Sequence, residues 1–304
     1  MAIERKIKKV WKSKPTIEGA GVHLKRAFGY TQVPQVDPFL LLDDFHSDVP
    51  RDYLAGFPWH PHRGIETITY VLHGKVAHGD SMGNSGIISP GDVQWMTAGS
   101  GIIHQEMPQG GRDNLLWGFQ LWANLPAKQK MMPPRYRDVR SGQIPEIRRP
   151  SGVTVKIVCG TVDHIKGPVE DIVIDPEYID VSVPAGATFT HLVPAGHTVF
   201  AYIIEGSGYF NHDRNPFAHE VVGNNYFDFK KNCICDAETF VLYDREGEEV
   251  SITAEKTPLR FLLVSGRPIG EPVAWHGPIV MNTREELELA FEEYEKGTFI
   301  KHPG

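Results

Sequence analysis

The chain has few cysteines, no long apolar run and no surplus of positive charge, and each shortage closes a class of functions. Cys159, Cys233 and Cys235 are the three cysteines in 304 residues, an odd number without a disulfide framework. Cys233-x-Cys235 could ligate a soft metal, but no second pair accompanies it, so two buried thiols are the simpler reading. A reducing, cytoplasmic setting is therefore expected. No stretch approaches the roughly 18 apolar residues needed to span a bilayer, and residues 1–30 lack the apolar core of a secretory peptide. The formal charge is −7 and the pI about 6.1, so no basic field recruits nucleic acid. The one basic stretch, Arg5 to Lys14, alternates with Ile7 and Val10 and reads as an edge strand with charged outward positions.

What the chain does have is punctuation. With 30 glycines, 23 prolines and 41% hydrophobic residues, it reads as a turn-rich all-β protein, long enough for two domains with buried cores. Short apolar runs alternate with Gly, Asp and Asn, as in Gly79 to Gly86, which has the composition of a long hairpin connection. A single helix is legible near the end. Thr283-x-x-Glu286 is a capping box, Leu287, Ala290, Phe291 and Tyr294 follow at helical spacing, and Gly297 supplies a left-handed stop.

Two strings carry candidate chemistry. In Trp59-His60-Pro61-His62-Arg63-Gly64-Ile65-Glu66 the two histidines alternate, which on an extended chain points both to one face. In Ile103-His104-Gln105-Glu106 the histidine and the glutamate have the same spacing. A lone His-x-His is more often a surface or core pair than a ligand pair. Here His60-x-His62-x3-Glu66 is followed by an apolar strand, a turn at Gly74 and a second block, Pro90-Gly91-Asp92 through Thr97-Ala98-Gly99, leading into His104. Three imidazoles and a carboxylate would suit iron, manganese, nickel, copper or zinc better than calcium or magnesium.

That order resembles the two-part motif of cupins, small double-sheet jelly-roll barrels with a metal in the barrel mouth. The runs His60 to Thr67, Pro90 to Gly99, Gly101 to Pro108, Gly118 to Trp122 and Gly277 to Thr283 resemble the pirin family over most of the chain. The resemblance implies two tandem cupin barrels with a short C-terminal α-helix. It also implies one metal, Fe(2+), held in the first barrel by His60, His62, His104 and Glu106. Thr97 stands where the general cupin motif has proline, and the general cupin carboxylate would be Glu66. Glu106 is favoured because it shares a strand face with His104. Glu66 is then either an acceptor for a ligand imidazole or a buried or rim carboxylate paired with Arg63.

Setting Thr69 to Gly74 over Ala201 to Gly206 aligns two strand-then-turn units and puts Leu192, Pro194 and Thr198 at the positions of His60, His62 and Glu66. The second copy has lost its ligands, and His191 and His197 read as polar residues of a barrel mouth. The expected division is a metal-binding barrel over 1–125, a proline-rich surface linker over 126–150, and a metal-free barrel over 151–304 ending in the helix at about 283–296. Phe57, Trp59, Ile65, Trp95, Met96, Ile102 and Ile103 would line a dry pocket for a flat aromatic molecule or form barrel core. Pirin-like proteins are associated with flavonol (quercetin) 2,3-dioxygenase activity and with metal-dependent regulation of protein partners, transcription factors or metabolic enzymes. The resemblance thus implies either O2 and a flavonol-like substrate, with Glu106 as catalytic base, or a non-catalytic iron protein that binds a protein partner.

Overall fold

A computed structural model describes residues 2–223 and 233–302. It is almost entirely β-structure and forms two compact units, each built around paired sheets. The units are not consecutive lengths of chain. One comprises Met1–Ser13 with Ile144–Pro268, and the other Lys14–Gln143 with Ile269–Gly304. This differs from the expected sequential division, because each end of the chain completes the unit built mainly from the other half.

The second of these units carries the histidine strings. Its strands are β2 (Lys14–Glu18), β3 (Val22–Phe28), β4 (Phe39–Ser47), β5 (Phe57–His62), β6 (Ile65–His73), β7 (Lys75–Asp80), β8 (Ser85–Ile88), β9 (Val93–Thr97), β10 (Ile102–Gln109), β11 (Leu116–Asn124) and β12 (Arg135–Val139). They form a seven-stranded sheet, β12-β9-β6-β11-β4-β3-β2, and a four-stranded sheet, β5-β10-β7-β8. Central strands β6 and β11 are buried along almost their whole length, so they read as apolar runs with only scattered polar residues. Gly74 turns β6 into β7 at φ +74°, and a Cβ there would meet the Gln109 carbonyl oxygen at 2.6 Å. The hairpin β7–β8 is joined by four residues, a shorter connection than the Gly79–Gly86 composition suggests.

The proline-rich segment is not a featureless linker. Its residues 135–139 form β12, which extends the seven-stranded sheet by pairing with β9, and Glu146–Arg148 pairs in the other unit. Prolines cluster at Pro133, Pro134 and Pro145, outside both strands, where their missing N–H breaks no ladder.

Helix α1 (Arg284–Glu295) begins as expected. Thr283 Oγ1 accepts from Glu286 N at 3.2 Å, and Glu286 Oε2 accepts from Thr283 N at 3.1 Å. Its apolar stripe packs with Ile279, Met281, Phe299 and Ile103, within the unit that carries the histidines.

The other unit has an eight-stranded and a four-stranded sheet over a large aliphatic core. Strand β1 (Ile7–Lys12) is not an edge. It pairs antiparallel with Thr239–Tyr243 and parallel with the two-residue strand Glu220–Val221, and Ile7 and Val10 enter the core. Among the described residues no helix is long and apolar enough to cross a membrane.

Candidate metal centre

Alternation on β5 and β10 places the histidines, and the pairing of those strands brings them together. His60 pairs directly with His104, and His62 with Ile102. Between His104 and Glu106 the register shifts, so that Phe57 rather than Pro58 faces Glu106. This bulge lies over Pro58 and Trp59, at the rim of the unit. On β10 burial alternates strictly, so His104 and Glu106 share the inward face.

The ring nitrogens then point to one place. His60 Nδ1 donates to Pro58 O at 2.8 Å and His62 Nδ1 donates to Pro278 O at 2.9 Å. A carbonyl can only accept, so in each neutral ring the proton sits on Nδ1 and Nε2 presents a lone pair. The two Nε2 atoms are 3.1 Å apart. Two facing lone pairs repel unless a cation lies close to both. Burial and the neighbouring His60 hold His62 down to about 3, and burial holds His104 well below the usual imidazole range, so an extra proton is disfavoured.

His104 completes the group. Its ring centroid is 4.3 Å from that of His60 and 4.9 Å from that of His62, and neither of its nitrogens has a hydrogen-bond partner although the side chain is fully buried. One nitrogen from each ring lies within 4.8 Å of the others, the one such group of metal-ligating side chains among the described residues. Buried, unpartnered imidazoles with converging lone pairs fit a divalent transition ion.

Glu106 lies outside that 4.8 Å group. It is buried on the same face, and its Oε1 is 3.0 Å from Thr69 Oγ1. Glu66 contacts neither a ligand imidazole nor Arg63. It sits three residues from Thr69 and so on the opposite face of β6. There it accepts from Thr97 Oγ1 at 2.6 Å and Trp95 Nε1 at 3.2 Å, with Arg135 at 3.7 Å, while burial raises its affinity for a proton. Arg63 instead donates to Ser100 O and Phe299 O, pairs with Glu293 at 2.8 Å and lies over the Phe299 ring.

A cavity of about 740 Å³ opens onto His60, His62 and Glu106. Of the apolar residues singled out from sequence, Phe57 and Trp59 line it. Ile65, Met96 and Ile102 form core, Trp95 is buried, and Ile103 packs near α1. Trp122, Trp275 and Tyr30 supply aromatic wall that sequence reading missed, and Trp122 meets the His62 ring edge-on at 4.9 Å. A polar row crosses the cavity: Thr69 pairs with Gln120, Gln120 with Asp43, and Asp43 with Arg26 on four adjacent strands. Arg26 holds Asp43 through two bonds of 2.8 and 2.7 Å, and Glu18 at 2.9 Å.

A second pair was also missed. His78 and Asp80 on β7 oppose Glu106 and His104, and the buried His78 ring stacks on Tyr136 with its centroid 5.4 Å from that of His104. His78-x-Asp80 has the same period-two spacing as the ligand strings and was the available signal.

The chain matches known proteins in both of its halves. A family model described as Pirin matches residues 21–123, and one described as the Pirin C-terminal cupin domain matches residues 178–300. A pirin-like protein of Caulobacter vibrioides is 43% identical over 97% of this chain and 99% of its own length. The crystal structure of a quercetin 2,3-dioxygenase from Acinetobacter baumannii superposes with a TM-score of 0.84 at 32% identity, covering 97% of this chain and 98% of that one. A bacterial pirin from Escherichia coli in complex with nickel(II) shares the fold at 20% identity and a TM-score of 0.59, over 85% of this chain and 98% of that one. With both family domains matched in order and the whole length aligned to a pirin-like relative, the chain belongs to the pirin family.

Proposed function

We propose that this pirin binds one divalent transition ion, Fe(2+) foremost, through His60, His62, His104 and Glu106, and oxidises a flavonol-like aromatic substrate with O2 in the manner of a quercetin 2,3-dioxygenase. The observation that carries the reading is the 3.1 Å approach of two Nε2 lone pairs at the mouth of an aromatic-walled cavity. When bound, the metal supplies a Lewis acid and a route for electrons between an enol oxygen and dioxygen. The protein does the rest. Aromatic walls at Phe57, Trp59, Trp122 and Trp275 suit a flat ring system and exclude water from its faces. Glu106 accepts the proton of the substrate hydroxyl at a carboxylate oxygen, leaving the more electron-rich oxyanion that dioxygen requires. The heterocycle opens with uptake of both oxygen atoms and release of carbon monoxide. The relatives described as quercetin 2,3-dioxygenases support this reading.

The test is metal analysis of the purified chain, followed by anaerobic iron loading and addition of quercetin in air. Bleaching of the flavonol with oxygen uptake and carbon monoxide release is expected. If iron-, manganese-, nickel- and copper-loaded protein all leave several flavonols untouched, the oxygenase reading fails. The cavity then becomes the sensing site of a metal-dependent, partner-binding protein.

A further inference from the structure

The hydrogen bonds around Glu106 do not close as two independent contacts. Thr69 Oγ1 is 3.0 Å from Glu106 Oε1 and 2.6 Å from the atom assigned as Gln120 Oε1. A threonine hydroxyl has one proton, and a carboxylate only accepts. That proton therefore goes to Glu106, and the Gln120 amide is turned over from its assigned orientation so that its NH2 faces Thr69. The bonds run one way, Gln120 Nε2 to Thr69 Oγ1 to Glu106 Oε1. Thr69 is buried, whereas Gln120 is half-buried and lines the cavity, and among the described residues its side chain makes no further hydrogen bond. Its carbonyl oxygen is left to face a ligand.

We propose that Gln120 and Thr69 are a positioning relay for Glu106, and that the Gln120 carbonyl selects ligands carrying a second hydroxyl donor beside the oxygen that meets Glu106. Thr69 holds one carboxylate oxygen of Glu106, which leaves the other free of that bond in a residue that lines the cavity. A ligand hydroxyl bound to Gln120 fixes the amide and, through Thr69, the carboxylate. Substrate recognition and carboxylate orientation are thereby joined.

This inference rests on the metal reading above, and its test separates the two. Cobalt(II) affinity and the cobalt absorption spectrum are measured for wild type, Thr69→Val and Thr69→Ser, with thermal melting as the folding control. Thr69→Val is expected to weaken cobalt binding about tenfold and change the spectrum, and Thr69→Ser to restore both to within about twofold. On nickel-loaded protein, Gln120→Met should lower the preference for quercetin over 3-hydroxyflavone, read as a ratio of dissociation constants, about three- to tenfold. If Thr69→Val fails to fold, the cobalt spectrum of Gln120→Met serves instead, since it too removes a member of the relay. Unchanged cobalt affinity and spectrum in these variants, or an unchanged ligand ratio in Gln120→Met, overturns the relay while leaving the metal site standing. A wild type that takes up no cobalt overturns the metal reading, and the relay with it.

Discussion

His62 is oriented by Pro278, a residue 216 positions away, whose backbone carbonyl accepts from His62 Nδ1 at 2.9 Å. This bond fixes Nε2 as the His62 nitrogen that faces His60, so the segment after residue 268 acts on the proposed ligand set without supplying a ligand. Two buried basic side chains hold that segment in place. Lys130 Nζ donates to Gly64 O, Asn124 Oδ1 and Val280 O at 2.6 to 3.0 Å, and Arg63 donates to Phe299 O at 2.9 Å.

Lys130→Met keeps the length of the side chain and removes all three donors. We expect a lower melting temperature and about tenfold weaker nickel affinity, although no ligand changes. Isothermal titration and thermal melting check it. Nickel affinity equal to wild type would show that the tail does not govern His62.

Glu106→Gln separates ligation from proton transfer, because an amide oxygen still offers a weak donor to a metal but accepts no proton at neutral pH. Turnover of quercetin should fall about a hundredfold or more, with a smaller loss of iron content. Parallel losses would make Glu106 a ligand only.

In the metal-free protein the buried histidines give stability a defined pH slope. His62 titrates near 6.5 when unfolded and is held to about 3 when folded by burial and His60. Above about pH 6.5 both states are neutral and the contribution is full. As the pH falls from there toward 3 the unfolded state takes up the proton first, and stability drops by about 1.4 kcal/mol per unit for such a group. Urea denaturation of metal-free wild type between pH 7 and 4 should show this slope, and His62→Gln should reduce it by the share of one such group.

The other unit should be silent toward metal. Its His191 Nε2 donates to Glu177 Oε1 at 2.6 Å in a buried pair, and the position aligned with His60 is the exposed Leu192. Replacing His191 and His197 with Gln should leave one metal ion per chain. A stoichiometry that falls in this double variant, with the fold intact by circular dichroism, would assign chemistry to the second barrel.

His60, His62 and His104 were legible because strand alternation is local: two histidines two residues apart share a face whatever the rest of the chain does. The same rule placed Glu106 beside His104. It did not reveal Arg26, Asp43, Thr69 and Gln120, which lie on four different strands and become neighbours only through sheet register. Glu66 shows the limit from the other side. Its partners Thr97 and Arg135 come from β9 and β12, and β12 was hidden in a segment whose prolines suggested no regular structure. The placement of β1 and α1 was illegible for a related reason, since composition tells that a strand or helix has an apolar face but not which core receives it.

The exchange of chain ends also sets an order of events during synthesis. Strands β2 to β12 leave the ribosome long before Pro278 exists, so His62 spends that interval without the acceptor that selects its tautomer, and Gly64 and Lys130 wait for Val280. A nascent chain halted before residue 269 therefore holds all four proposed ligands yet lacks the segment that aligns one of them. On the proposed metal reading, the arrangement that aligns His62 is complete only once residues 269–304 have joined the unit that carries it.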